Sequence, residues 1–180
     1  FLNERGVTKD TKVGLYLFNC NEYLTSQFAT MKVMGVPINV NYRYQSDELV
    51  YLFDNSDSEV VFFHESYLDQ VKQVYKKLPN VKTWIQIGGV KDPEIDGCFS
   101  YEEIISSNDP MKRIVRDEDN IYMIYTGGTT GMPKGVMYNH GEFSVAMYGG
   151  LKSQGYEVPD MRFRKNIKDL KEIIMNKSKS

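Results

Sequence analysis

Residues 125–136 read YTGGTTGMPKGV: four glycines, three threonines, one proline and one lysine in twelve positions. Glycine loses more conformational freedom on folding than any other residue, so this density needs a structural or chemical reason. Just before it, residues 121–125 (IYMIY) are apolar throughout, which reads as a buried strand. Ligands of open parallel α/β sheets gather at the carboxyl ends of strands, and the glycine stretch follows such an end directly.

Working outward from the stretch, strand and helix patterns alternate. Residues 13–18 (VGLYLF) predict a strand buried on both faces. Asn21 then offers an N-cap, Leu24, Phe28 and Met31 recur at helical spacing, and Gly35 suits the residue just past that helix. Val36, Ile38 and Val40 alternate with polar or small neighbours, a half-buried strand that Pro37 pushes toward an edge or a strand start. A short helix is expected over residues 47–54 and a buried strand over 60–63 (VVFF). Ser66 and Asp69 look like the start of a helix with Leu68, Val71, Tyr75 and Leu78 as its apolar stripe, stopped at Pro79. Residues 81–87 (VKTWIQI) read as a strand and 88–99 as a loop. Ser100 and Glu103 form a capping box opening a helix, and residues 166–176 read as a last helix. The sum is an α/β layer structure with a largely parallel sheet flanked by helices.

Two common phosphate motifs fail on the glycine stretch. The Walker pattern needs glycine before its lysine and Ser/Thr after, whereas Pro133 and Gly135 flank Lys134. The dinucleotide pattern fails because Thr126 stands where its first glycine belongs. The physical logic survives. Consecutive glycines let backbone N–H groups turn inward as an anion nest. Thr129 and Thr130 add hydroxyls, Lys134 adds a mobile point charge suited to phosphate oxygens, and Pro133 stiffens the approach to it. An oligophosphate would satisfy all three kinds of group. The plainer alternative is a tight glycine-rich turn between two strands.

Composition narrows the class. The 180 residues suffice for one domain with a sizeable core, and a net charge of −2 excludes a polycation built for nucleic acid. Seven Lys/Arg against two Asp/Glu in residues 161–180 make that end net +5, a pattern that solvated helix faces commonly show. Cys20 and Cys98 offer neither a disulfide framework nor zinc spacing, which points to a reducing, cytoplasmic setting. No apolar run approaches the roughly 18 residues of a membrane span.

The decamer TGGTTGMPKG, residues 126–135, resembles the signature T-S-G-T-T-G-x-P-K-G of adenylate-forming (AMP-binding) enzymes, namely acyl-CoA synthetases, luciferase-like proteins and peptide-synthetase adenylation domains. It matches at Thr126, Gly128, Thr129, Thr130, Gly131, Pro133, Lys134 and Gly135, and departs at Gly127, where serine is usual. That variant looks like the form in some fatty-acid and sterol-side-chain CoA ligases. Residues 31–44 (MKVMGVPINVNYRY) and 135–143 (GVMYNHGEF) are similar to the family's flanking segments, and residues 41–57 are closer to acyl-CoA synthetases than to peptide synthetases.

The resemblance implies a two-step ligase that uses ATP, Mg2+ and CoA on a small-molecule carboxylic acid, with a medium or long fatty acid preferred. It implies polyphosphate binding by Thr126, Gly127, Gly128, Thr129, Thr130, Gly131, Lys134 and Gly135, with Thr130 and Lys134 as catalytic groups and no protein metal ligands in this stretch. The family's adenine segment, ribose-binding aspartate and C-terminal lysine have no counterpart here, so residues 1–180 are expected to be part of an adenylation domain cut at both ends, partnered by its remainder. A carrier-protein thiol as acceptor, and a non-catalytic nucleotide-binding module, are the alternatives. Away from the loop, His64 is expected to be a loop histidine without a role, and His140 to cap a helix or pack beneath the loop. Tyr125 and Tyr138 are expected in sheet packing, and Asp117, Glu118 and Asp119 in a solvated turn.

Overall fold

The computed structural model describes residues 1–112, 114, 119–128 and 131–157. The expected helix at 166–176 and the basic end lie outside them, as do Asp117 and Glu118. The chain divides into two compact units, residues 1–139 and 140–180.

The first unit is an α/β layer structure. Its strands are β1 (Lys12–Tyr16), β2 (Val36–Asn39), β3 (Ser58–His64), β4 (Thr83–Ile87), β5 (Cys98–Ser100), β6 (Ile121–Gly128) and β7 (Gly131–Asn139). Between them run α1 (Asn21–Lys32), α2 (Ser46–Asn55), α3 (Leu68–Val74) and α4 (Tyr101–Ser107). The sheet order is β5-β4-β3-β1-β2-β6-β7. The strands from β1 to β6 run parallel, and β7 returns antiparallel to β6. The second unit opens with α5 (His140–Ser153), whose first residue is His140.

Alternate residues of the strands feed two cores, one on each face of the sheet, because successive side chains of a strand point to opposite sides. Val61, Phe63 and Trp84 join Leu49, Leu52 and Phe53 of α2 and Val71 and Val74 of α3. Val13, Leu15, Val60, Phe62, Ile85 and Ile87 form the opposite core, against which Tyr23 and Ala29 of α1 and Tyr101 and Ile104 of α4 pack. Phe53 and Phe63 each meet Trp84 edge to face at 6.3 Å. Gly14 lies beneath α2, where an added Cβ would stand 2.6 Å from the Phe53 ring. Glycine there lets the helix settle close to the sheet.

The structure revises several sequence expectations. α1 is a helix, but Leu24 and Phe28 are 54% and 62% exposed, and Ser26 and Thr30 are buried instead. Thr30 Oγ1 donates to Ser26 O at 2.8 Å, so its hydroxyl costs little to bury. The left-handed residue ending α1 is Met34 (φ 67°), with Gly35 N–H donating back to Thr30 O. Gly35 is small for another reason: a Cβ there would approach Thr30 and Val7 to 3.0 Å. Pro37 sits inside the sheet, not at its edge, but near the start of β2 and before the pairing with β6 begins at Ile38. The segment expected as a loop ends in β5. Buried Gln86 organises it, donating to Gly88 O and Val90 O and accepting from Asp92 N–H. Trp84 N–H donates to Gly97 O, which draws the chain back alongside β4.

Candidate nucleotide-binding hairpin

The glycine stretch is the tip of the β6–β7 hairpin. Thr126 lies opposite Lys134 and Gly128 opposite Gly131. Residues 129 and 130 join the strands, and Thr129 and Thr130 lie outside the described residues. The register is irregular between Thr126 and Gly128, so Gly127 faces both Met132 and Pro133 across the ladder. A bulge tolerates proline, which has no N–H to give to a ladder, and it strengthens the local twist. The plainer expectation, a tight glycine-rich turn between two strands, thus describes the backbone path of the stretch. The strands run further into the glycine stretch than its composition suggests, and the connection between them is two residues long.

The hairpin has two faces. Residues directly opposite in an antiparallel pair share a face, so Thr126 and Lys134 stand together, both exposed. Tyr125 and Gly135 share the other. An added Cβ on Gly135 would come within 3.1 Å of the Tyr125 ring and of Met123 Sδ. Glycine at 135 thus has a packing reason that composition could not reveal. Tyr125 is half-buried, and its hydroxyl donates to Asn55 Oδ1 on α2 at 2.9 Å. Burial pushes its phenol upward, with Tyr51 nearby adding to the effect and a side-chain hydrogen bond with Ser56 opposing it. That phenol works in packing, as expected. Tyr51, also on α2, donates its hydroxyl to Pro133 O at 3.2 Å. Sequence reasoning missed Tyr51 and Asn55. Their spacing of four on one helix was the available signal.

The remaining candidates resolve separately. His64 has a role: it caps the turn of helix at Glu65–Tyr67, its Nδ1 accepting from Ser66 N–H at 3.1 Å. The cap therefore stands two residues before the serine expected to start that helix. Its ring meets Phe18 edge to face at 4.7 Å. At α4, Ser100 Oγ accepts from Glu103 N–H at 3.2 Å, the serine half of the predicted capping box. Asp119 accepts from Asn139 Nδ2 at 3.3 Å, bracing the base of the hairpin. Burial pushes the thiols of Cys20 and Cys98 up, which disfavours the reactive thiolate. Among the described residues, no three His, Cys, Asp or Glu side chains gather where they could hold a metal ion, and no helix is long and apolar enough to cross a membrane.

Residues 1–164 match the AMP-binding enzyme family. The chain is 38% identical over 154 residues to a 3-oxocholest-4-en-26-oate–CoA ligase of Rhodococcus rhodochrous, a match covering 84% of this chain and 28% of that protein. It is 40% identical over 156 residues to a medium/long-chain-fatty-acid–CoA/3-oxocholest-4-en-26-oate–CoA ligase of Mycobacterium marinum, covering 83% and 28% respectively. Among solved structures, a long-chain-fatty-acid–CoA ligase from Archaeoglobus fulgidus superposes with a TM-score of 0.72 at 26% identity, over 87% of this chain and 30% of that one. An anthranilate CoA ligase in complex with anthranoyl-AMP shares the fold, with a TM-score of 0.75 at 23% identity, over 83% and 29% of the two chains. The chain thus spans a little under a third of the length of these relatives. A family match that takes in every described residue, a shared fold and the decamer at the hairpin tip agree: the chain belongs to the AMP-binding enzyme family.

Proposed function

We propose that these residues supply the polyphosphate-binding hairpin of an ATP-dependent acyl-CoA ligase. In the first step a carboxylate oxygen of the acid attacks the α-phosphorus of ATP. The bond to the bridging oxygen breaks, giving acyl-adenylate and pyrophosphate. In the second, the thiol of CoA attacks the acyl carbonyl carbon, loses its proton, and AMP leaves. Negative charge grows on the departing pyrophosphate in the first step, and preplaced donors facing it lower the barrier. This role is assigned to Thr126 and Lys134, and their standing together on the exposed face of the hairpin supports it. Thr129 and Thr130 complete the set by their position in the connection, with Gly127, Gly128, Gly131 and Gly135 lending backbone N–H groups. Magnesium is taken as part of the ATP-Mg substrate.

The supporting observation is a glycine-rich hairpin at the end of a parallel sheet, in a chain 38–40% identical to CoA ligases. Among acids, a medium- or long-chain fatty acid or a sterol side-chain acid is the proposed substrate, because those relatives are named for such acids. A cytoplasmic setting is part of the proposal, supported by the free thiols of Cys20 and Cys98, which a reducing compartment preserves. The test is pyrophosphate exchange into ATP by the intact protein, measured with octanoate, palmitate, a cholestenoate and benzoate. Exchange that requires an aliphatic or sterol acid, followed by thioester formation on adding CoA, is expected. Exchange without any acid, or adenylate that passes to a carrier-protein thiol and not to CoA, would overturn it.

A further inference from the structure

The hairpin tip reaches past the sheet that supports it. β6 pairs with β2 where Ile38 faces Met123 and Asn39 faces Ile124, and β6 then continues to Gly128. What meets it beyond that pairing is α2. Leu49, Leu52 and Phe53 bury this helix in the core, and Gln45 N–H donates to Glu48 Oε2 at 2.8 Å to cap its start. One turn apart on the same helix, Tyr51 and Asn55 face the hairpin. Asn55 accepts from Tyr125 Oη at 2.9 Å on β6, and Tyr51 donates to Pro133 O at 3.2 Å on β7.

The second bond lies at a sensitive place. The Pro133 carbonyl belongs to the peptide plane shared with Lys134, because the atoms from one Cα to the next move as a unit. It also lies in the bulge, where the ladder is irregular and gives the strand less support. A hydroxyl fixed there by a core-anchored helix determines how the Lys134 backbone is held.

We infer that Tyr51 is a positioning residue. Through Pro133 it holds Lys134 in the orientation that meets the polyphosphate, with Asn55 and Tyr125 as the second point of a two-point clamp. This rests on the reading that Lys134 contacts the nucleotide. The clamp would carry binding energy from the core of the sheet to a tip that the sheet does not brace.

The experiment is a double-mutant cycle in the intact protein with Tyr51→Phe and Lys134→Ala, reading kcat and KM for ATP in pyrophosphate exchange and the affinity for the imido analogue AMPPNP. One neutral hydrogen bond corresponds to roughly a three- to tenfold loss in kcat/KM. That loss is expected for Tyr51→Phe when Lys134 is present, and no loss when Lys134 is already alanine. Equal losses in both backgrounds would show that Tyr51 acts generally and not through Lys134, and would overturn the inference. So would an unchanged Tyr51→Phe beside an impaired Lys134→Ala. If Lys134→Ala is itself without effect, it is the polyphosphate reading that fails. Trypsin cleavage after Lys134 in the native protein tests the clamp without nucleotide. Tyr51→Phe should speed it several-fold at unchanged melting temperature, and an unchanged rate would refute the clamp.

Discussion

The two flanks of the β1–β2 pair are built on different principles. On one side, β3 and β4 pair along their length and lie between two cores, with Val61, Phe63 and Ile85 wholly shielded. On the other, the β6–β7 hairpin leaves the sheet after a short pairing and exposes Val136, Met137 and Tyr138. Dense packing makes the first flank intolerant of changes in volume. The second holds its shape by backbone pairing, by Ile121, Met123 and Tyr125 packing against one core, and by hydrogen bonds from Tyr51, Tyr125 and Asn139. The exposed polar pair Thr126 and Lys134 stands where packing is thin, on a hairpin tied to the packed flank through α2.

The widest gap between the flanks should appear with Trp84→Ala. It removes a buried indole from between Phe53 and Phe63 and should cost about 3–5 kcal/mol of stability, read by denaturant unfolding of the intact protein. A cost under about 1 kcal/mol would mean that the described core is not the one that stabilises the fold.

Gly14→Ala sharpens the comparison by joining the flanks. The new methyl must push Phe53, and α2 with it, away from the sheet, costing about 1–3 kcal/mol. Since α2 carries Tyr51 and Asn55, KM for ATP should rise as well. A loss of stability with unchanged ATP kinetics would separate helix height from the hairpin.

Lys134→Ala should do the reverse. It should lower kcat/KM for ATP about tenfold, near 1.4 kcal/mol, while the melting temperature stays within a degree or so. That is less than the loss of a buried oxyanion donor, because the lysine side chain is exposed and water weakens its charge.

The smallest effect concerns alkaline pH. Burial raises the Tyr16 phenol to about 12, helped by Tyr67 and the Glu48 carboxylate, and burial raises Tyr23 to about 12 as well. Tyr16 Oη also donates to Tyr44 O at 3.0 Å, a bond that needs the proton. The folded values lie above the unfolded one, so the stability they carry is intact below about pH 10 and is lost as pH rises through about 12. Tyr16→Phe should make the stability profile shallower in that window, and at pH 7 it should cost only the roughly 1 kcal/mol of the lost hydrogen bond to Tyr44 O. An equally steep profile in the variant would assign the alkaline transition to other groups.

How much of this was legible beforehand differs by element. Strands β1 and β3 announced themselves as short apolar runs, because a strand buried on both faces needs no alternation; β6 reads the same way, yet only Met123 of residues 121–125 is buried. The cap at Ser100 was readable, since its partner Glu103 is only three residues away. The α1 helix was readable but its buried face was not. Leu24 and Phe28 fit a stripe, yet Ser26 and Thr30 are the buried residues, and Thr30 packs tightly against Gly35. His64 as a cap was missed because histidine is an uncommon acceptor for that purpose. β5 was missed because it is three residues long and depends on Gln86 to hold the segment before it.

From the order of its residues alone, the chain determined its alternation of strand and helix, its largely parallel sheet and, through its glycine decamer, its family. Those are local properties: hydrophobic period, turn chemistry and the donors packed into ten consecutive positions. Tertiary structure alone decided that the decamer is the end of a hairpin with Thr126 beside Lys134, that Gly135 yields space to Tyr125, and that Tyr51 reaches Pro133 across 82 positions of sequence. Such pairings depend on how far a helix can sink toward a sheet. That distance is set by volumes such as those of Gly14 and Phe53, which meet only once the chain has folded.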